Sequence, residues 1–187
     1  MAQEIEIKLK LADPERLRAV LRDHGATYRG RDFEINRIFD FPDGRLRQGG
    51  SALRVRVTRP LINAGQSTGT LTFKGPREAG ALKSREEVEM SVDDPTTLVI
   101  ILARLGLVQR VRYEKRRETW SLRNCEIVLD ELPQIGWYAE IEGPNSESVL
   151  GCRDELELGQ VPAEDASYVQ LAITHGRENE GMHSLDF

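Results

Sequence analysis

Acidic and basic side chains alternate with aliphatic ones along the first strand-like segment of the chain. Between positions 4 and 11, the even positions carry Glu, Glu, Lys and Lys, and the odd positions carry Ile, Ile, Leu and Leu. Side chains two residues apart lie on the same face of a β-strand, so one face of this segment is charged and the other apolar. Taken alone, the pattern is also typical of an amphipathic strand with one face in water.

The same alternation recurs on several later segments, which favours a chemical role for the charged face. The basic positions that share it are Lys8, Arg54, Arg56, Lys74, Arg85, Lys115 and Arg117. The acidic positions are Glu4, Glu6, Glu87, Glu89, Asp130, Glu140 and Glu142. We interpret both sets as the lining of one polar interior. The alternatives are a plain solvent face and a set of structural salt bridges, although buried ion pairs add little net stability.

A lining of both signs indicates the chemistry of a metal-bound polyphosphate. Clustered carboxylates repel one another unless a cation compensates them, and oxygen-only ligands suit Mg²⁺ or Mn²⁺. Clustered arginines and lysines suit a highly charged anion, because arginine binds phosphate in bidentate geometry and lysine supplies a point charge. Phosphoryl transfer depends mainly on positioning and charge stabilisation, so such a lining could catalyse it without a covalent nucleophile.

About eight strands and four helices are predicted to position these side chains. Asp13 and Asp94, each followed by proline, are N-cap signals before apolar stripes, and residues 146–158 and 164–175 are further helical segments. The helices can cover the apolar face of the sheet, and closing the sheet removes its edge strands. The predicted strands lie within residues 3–11, 35–41, 52–59, 70–74, 83–92, 111–122, 125–131 and 137–143. The predicted fold is α+β, a closed β-barrel with flanking helices.

The composition favours one globular domain acting on a small molecule. The chain has 187 residues, and we predict a single domain over residues 1–176 and a flexible tail over residues 177–187. The net charge of −5 lacks the basic excess typical of nucleic-acid-binding proteins. The sequence shows no apolar signal segment and no run long enough to span a bilayer, so no membrane partner is expected. Its two cysteines lack metal-ligand spacing, and we expect a reduced, cytoplasmic protein. The sequence allows a homodimer.

A series of short motifs resembles the signature of the CYTH superfamily, the triphosphate tunnel metalloenzymes. This superfamily includes class IV adenylyl cyclases, thiamine triphosphatases and inorganic triphosphatases. The first motif is Glu4-x-Glu6-x-Lys8, and the similarity covers about residues 2–175. The other motifs are Phe39-Asp40, Leu53-Arg54-Val55-Arg56, Thr72-Phe73-Lys74-Gly75-Pro76, Arg85-Glu86-Glu87-Val88-Glu89, Tyr113-Glu114-Lys115-Arg116-Arg117, Leu129-Asp130-Glu131 and Glu140-Ile141-Glu142-Gly143.

The resemblance implies an eight-stranded antiparallel closed β-barrel around a triphosphate tunnel. It assigns Mg²⁺ or Mn²⁺ binding to the acidic set above, with Glu87 or Glu89 contributing, and triphosphate binding to the basic set. Both sets coincide with those selected by the alternation. We take Lys8, Glu4 and Glu6 as the candidate catalytic residues. A Lys–Tyr pair has been proposed as a general base in some triphosphatases, and Tyr28 is a candidate for that tyrosine.

The expected function is metal-dependent hydrolysis of the terminal phosphate of a triphosphate, either inorganic or organic. Tripolyphosphate, thiamine triphosphate and ATP are the expected substrates. One alternative is a class IV adenylyl cyclase that converts ATP to cyclic AMP and pyrophosphate. Those cyclases often carry a His-Phe pair before the first glutamate, and only Met1, Ala2 and Gln3 precede Glu4 here. A non-enzymatic polyphosphate-binding module is the second alternative.

Overall fold

The computed structural model describes residues 2–62, 65–77 and 83–187 of the chain. Within these ranges, the side chains of residues 2–4, 77, 83 and 84 lie outside the description. The side chain of the predicted metal ligand Glu4 is therefore outside the described residues, and the backbone of Glu4 pairs with that of Arg85.

The described ranges form strands and helices in an order close to the predicted one. The strands are β1 (Ala2–Leu11), β2 (Thr27–Asp40), β3 (Ala52–Pro60), β4 (Thr68–Arg77), β5 (Lys83–Val92), β6 (Val108–Leu122), β7 (Cys125–Leu132), β8 (Gly136–Gly143), β9 (Arg177–Asn179) and β10 (Met182–Leu185). The helices are α1 (Pro14–Asp23), α2 (Arg45–Gln48), α3 (Pro95–Arg104), α4 (Ser146–Glu155) and α5 (Tyr168–His175). None of the described helices combines the length and apolar character needed to cross a bilayer.

Eight strands pair in a ring that encloses a polar interior. Their order is β2-β3-β4-β5-β1-β8-β7-β6, and β2 pairs again with β6, with every pairing in the ring antiparallel. The predicted antiparallel eight-stranded barrel with flanking helices is thus confirmed. Its closure is least complete between β1 and β5, which share the short register from Ala2↔Glu87 to Glu6↔Lys83. Beyond that register, β1 pairs at Leu9 with Ala163.

The apolar core lies outside the barrel, because the inward face of the strands is charged. Ile7, Ile141 and Ile127 face one another across β1, β8 and β7 and are almost fully buried. Leu17 and Leu21 of α1 and Val149 of α4 pack against the same cluster. A second cluster lies under α5 and a third under α3. The helices therefore cover the outer face of the sheet, as the apolar stripes predicted.

The helix-capping predictions are confirmed, and α5 begins later than predicted. The Asp13 side chain accepts a hydrogen bond from the backbone N–H of Arg16, and Asp94 caps α3 by accepting from Thr96 and Thr97. Helix α5 begins at Tyr168 because Ser167 and Gln170 form a capping box there.

Other segments also differ from the prediction, among them the short helix α2, which was not predicted. Strand β2 begins at Thr27 rather than at residue 35, because Asp32 and Glu34 face Arg117 and Lys115 across the pairing with β6. Opposite charges in facing positions stabilise a strand pair. Residues 177–187, expected as a flexible tail, instead contain the β9–β10 hairpin, in which β10 pairs in parallel with β6. Leu185 anchors it, with 0% of its surface exposed.

We expect Ile141→Ala to lower the free energy of unfolding by about 2–5 kcal/mol, because it opens a cavity in the centre of the outer core. Ile141 is 0% exposed, whereas Ile100 on α3 is 55% exposed. Ile100→Ala is therefore the matched control and should cost less than about 1 kcal/mol. Denaturant unfolding of both variants measures the difference, and equal midpoints would contradict this account of the core.

Candidate active site

A cavity of about 1040 Å³ lies inside the barrel and is lined mainly by charged side chains. The lining cations are Lys8, Arg47, Arg54, Arg56, Lys74, Arg85, Lys115 and Arg117. The lining acids are Glu6, Glu87, Glu89, Glu126, Glu140 and Glu142. The structure thus brings all seven predicted cations to one cavity. Among the predicted acids with described side chains, Asp130 alone lies behind the wall, where it is 0% exposed.

Asp130 accepts four hydrogen bonds from basic and phenolic side chains around it. Its Oδ1 accepts from Arg117 Nε at 2.7 Å, and its Oδ2 accepts from Arg117 Nη2 at 2.6 Å. Oδ2 also accepts from Lys115 Nζ at 3.1 Å and from the Tyr168 hydroxyl at 2.7 Å. A carboxylate offers about four acceptor positions, so these four bonds satisfy it. In this structure Asp130 orients the two cations and the tyrosine.

Glu34 compensates the same group of cations from β2 and is 3% exposed. Its Oε1 lies 3.3 Å from Arg56 Nη1, and its Oε2 lies 3.4 Å from Lys115 Nζ. Burial by itself would raise the pKa of Glu34, but Lys115, Arg117 and Arg56 outweigh burial and hold this pKa well below its usual value. Glu34 is therefore ionised at neutral pH.

Arg117 and Lys115 respond differently to this environment. Burial opposes the charge of Arg117, but Asp130 and Glu34 outweigh it and raise the pKa of Arg117 well above its ordinary value. For Lys115, burial lowers the pKa and the neighbouring Arg117 lowers it further, against the opposing effect of Asp130. A buried lysine with a lowered pKa in a cavity wall is typical of a functional site.

Glu140 links Arg117 to the lysine of the first motif. Its Oε2 lies 2.7 Å from Arg117 Nη2, and its Oε1 lies 3.3 Å from Lys8 Nζ. Lys8 and Glu140 also face each other across β1 and β8. Unlike Asp130, Glu140 lines the cavity.

Tyr168 closes this part of the cavity from α5. The Lys8 ammonium lies 3.8 Å from the centre of its ring, and that of Lys115 lies 4.8 Å from it. Burial, followed by the charges of Asp130 and Glu140, raises the pKa of Tyr168 well above its ordinary value. The phenol is therefore protonated at neutral pH and donates to Asp130. Tyr28, the tyrosine considered from sequence, packs edge to face on Trp120 at 5.0 Å and belongs to the outer surface.

The wall formed by β3 and β4 carries arginines with spare donors. Arg54 Nη2 lies 3.7 Å from carboxylate oxygens of Glu87 and Glu89, and Arg56 Nη2 lies 3.6 Å from Glu89. These separations exceed normal hydrogen-bond lengths. The Nε atoms of both arginines are buried and have no hydrogen-bond partner among the described residues. An anion in the cavity can instead accept hydrogen bonds from the Nη2 atoms without competing with a short ion pair.

A row of glutamates occupies another part of the lining. Glu6 faces Glu142 across β1 and β8, and Glu142 faces Glu126 across β8 and β7. Like charges in facing positions destabilise a sheet unless a cation compensates them. The donor chemistry of this row, carboxylate oxygen without His or Cys, fits a hard divalent ion. Among the described side chains, no three acidic, histidine or cysteine groups are close enough together to hold an ion.

Three residues of the site were not selected from sequence. Glu34 was missed because the predicted strand began at residue 35, although Asp32, Glu34 and Asn36 continue the alternation. Glu126 shares the parity of Asp130 on β7 and could have been found by extending that pattern. Tyr168 carries no such signal, because nothing in the spacing of a short helix indicates that it contacts the inside of a barrel.

Comparison with known proteins supports the fold and the motif pattern. The CYTH domain model matches residues 2–160. A candidate adenylate cyclase of Methanocaldococcus jannaschii is 27% identical over 139 residues, which cover 74% of this chain and 75% of that protein. The PH1819 protein of Pyrococcus horikoshii has a similar structure, with a TM-score of 0.78, 24% identity and coverage of 91% of this chain and 98% of that one. A Hippeastrum protein, described as a candidate adenylyl cyclase with a dominant triphosphatase activity, gives a TM-score of 0.69 at 20% identity, covering 96% and 99%.

We expect Glu34→Gln to destabilise the fold by about 3–5 kcal/mol at pH 7, because it leaves buried cations without a compensating charge. The pKa of Glu34 is lower in the folded than in the unfolded state, so its stabilisation is complete above pH 4.5. That stabilisation is lost as the pH falls below this value. The deficit of the variant relative to the wild type should therefore shrink between pH 6 and pH 3.

Glu131→Gln is the control for this measurement. Glu131 pairs with Arg116 at 3.2 Å on the outer face, where its side chain is 25% exposed. The Glu131→Gln substitution should lower the free energy of unfolding by less than about 1 kcal/mol. Denaturant unfolding at several pH values measures both variants. A Glu34→Gln deficit that stays constant with pH would overturn the assignment of Glu34 as the ionised partner of the buried cations.

Proposed function

Because the chain belongs to the CYTH domain family, as its motifs predicted, we propose that it is a divalent-metal-dependent triphosphatase. On this proposal it hydrolyses the terminal phosphate of an inorganic or organic triphosphate. The observation that carries the proposal is the pair of arginines on β3, Arg54 and Arg56. Both line the cavity, and the Nη2 atom of each lies 3.6 Å or more from the nearest carboxylate oxygen. A phosphate chain is the anion whose charge and oxygen geometry best suit two such arginines.

Some carboxylates bond closely to these cations and others lie farther away, and this difference leaves room for a phosphate to bind. Asp130 bonds tightly to Lys115 and Arg117 and would keep them oriented while a ligand binds. Glu89, by contrast, lies 3.6 Å or more from the arginines of β3. Phosphate oxygens can therefore approach Arg54 and Arg56 without displacing strong hydrogen bonds. Lys74 and Arg85 extend the same wall.

We assign the metal to the acidic side of the cavity. Glu6 and Glu142, which face each other across β1 and β8, would hold Mg²⁺ or Mn²⁺ with Glu4 of the same strand as Glu6, and phosphate oxygens of the substrate would complete the ligand set. A bound divalent ion neutralises charge that develops on the phosphoryl oxygens. The role of the protein is to hold the phosphate chain, to orient a water for in-line attack and to place Lys8 beside the reacting group. The buried phenol of Tyr168 remains protonated, so it orients Lys8 and Asp130 and does not remove a proton.

Cyclisation of ATP is the second candidate function. The relative from Methanocaldococcus jannaschii is named as a candidate adenylate cyclase, and the cavity of about 1040 Å³ is large enough for a nucleotide. The related Hippeastrum protein is described by its triphosphatase activity, which agrees with the leading proposal. A third outcome, binding of polyphosphate without turnover, corresponds to a regulatory module.

A substrate panel separates these functions. Purified protein with Mg²⁺ or with Mn²⁺ should release phosphate from tripolyphosphate, thiamine triphosphate or ATP. Chromatography of the ATP reaction identifies a hydrolase by ADP and phosphate, and a cyclase by cyclic AMP and pyrophosphate. Tight tripolyphosphate binding by calorimetry without any product would instead support the binding module. Absence of both turnover and binding under either metal would refute the proposal.

Two substitutions should separate the metal and phosphate sides of the site. Glu6→Gln should raise the metal concentration needed for half-maximal activity by about tenfold or more, because it removes a carboxylate ligand. Arg56→Ala should mainly raise KM, by about tenfold, because it removes a charged hydrogen-bond donor to the substrate. Glu86→Gln is the control, since Glu86 is exposed on β5 and does not line the cavity. Near wild-type kinetics in the first two variants would contradict the site.

A further inference from the structure

The Phe39-Asp40 motif has a structural role that the phosphate and metal assignments leave unexplained. Asp40 ends β2 and is 5% exposed. Its Oδ1 accepts from the backbone N–H of Phe41 at 2.7 Å and of Leu46 at 3.0 Å. Its Oδ2 accepts from the backbone N–H of Arg47 at 3.1 Å. One buried carboxylate therefore holds the short helix α2 in place against the end of the barrel.

Helix α2 carries two arginines that face different surroundings. The Arg45 guanidinium lies 3.3 Å from the centre of the Phe41 ring and does not line the cavity. Arg47 lines the cavity together with Gly50 and Ser51. Both arginines are exposed and lie on the same helix, but only Arg47 lines the cavity.

Arg47 also differs from three of the arginines of the barrel wall. Arg54, Arg56 and Arg117 all lie within ion-pair distance of cavity or buried carboxylates. For Arg47, no described carboxylate lies within that distance. An anion that binds Arg47 therefore gains a charge-assisted hydrogen bond without displacing an existing ion pair.

We propose that Arg47 is a further phosphate-binding residue of this cavity and that Asp40 is the positioning residue that presents it. The ligand is the polyphosphate chain of the substrate, and Arg47 contacts it from the α2 side of the cavity. This inference rests on the proposed function. It adds to the barrel-wall cations a contact from outside the barrel strands, through a residue that lies in none of the family motifs.

The test is calorimetric titration of tripolyphosphate into the wild type, Arg47→Ala and Arg45→Ala. Both variants lose one positive charge from the same helix, so the long-range electrostatic effect is matched. We expect Arg47→Ala to weaken Kd by about tenfold, and Arg45→Ala by less than about twofold. Arg47→Lys should recover part of the affinity by restoring the charge. With a hydrolysable substrate, Arg47→Ala should raise KM and leave kcat nearly unchanged.

The outcomes distinguish this inference from the proposed function. A wild type that binds none of tripolyphosphate, thiamine triphosphate and ATP refutes the proposed function. A wild type that binds, with equal affinities for Arg47→Ala and Arg45→Ala, refutes only the role of Arg47. Weakening confined to Arg47→Ala supports it.

A double-mutant cycle tests the role of Asp40. Asp40→Asn should weaken tripolyphosphate binding several-fold in the wild-type background and have no further effect in the Arg47→Ala background, because its effect passes through Arg47. Equal weakening in both backgrounds would mean that Asp40 supports the fold generally and would refute the positioning role. Thermal unfolding of each variant verifies that the compared proteins are folded. The comparison of Arg47→Ala with Arg45→Ala does not depend on the result of this double-mutant cycle.

Discussion

The structure depends on compensating the cations that the barrel turns inward. Removing a single ion from water costs several kcal/mol even after relaxation, so Lys115 and Arg117 cannot occupy the interior alone. Asp130 and Glu34 supply the opposite charge from β7 and β2, the two barrel strands that pair with β6. The cations are therefore held by carboxylates on both sides before any substrate binds. Such preorganisation lets a site stabilise transferring phosphoryl groups without reorganising at the moment of reaction.

Charge compensation also explains why the carboxylates of the barrel have two different roles. Asp130 and Glu34 are buried and surrounded by cations, and they hold the phosphate-binding side chains in position. Glu6, Glu142 and Glu126 instead face one another in register, where their mutual repulsion favours a compensating cation. Sequence type alone does not separate these roles. Burial and the identity of the facing residue on the next strand separate them.

The alternation of charged and apolar residues predicted most of this arrangement, because a period of two specifies which side chains share a face. It selected every cation of the barrel wall that lines the cavity. Which strands become neighbours is set by long-range pairing, and local patterns do not encode it. Glu34 joins the site through its register with Lys115, and Tyr168 joins it through the packing of α5 across the barrel. The β9–β10 hairpin was likewise missed, since a three-residue strand of polar residues resembles a frayed end.

The polar interior also determines where the hydrophobic core must lie. In the pairing of β1, β8 and β7, the facing residues Ile7, Ile141 and Ile127 point to the outer core, and the next row, Glu6, Glu142 and Glu126, lines the cavity. A slip of one residue in this register would exchange the two rows, burying glutamates under α1 and α4 and exposing isoleucines to the cavity. Because this slipped arrangement is energetically unfavourable, the observed register is strongly preferred. The packing of the outer core thus fixes the positions of these three glutamates in the cavity lining.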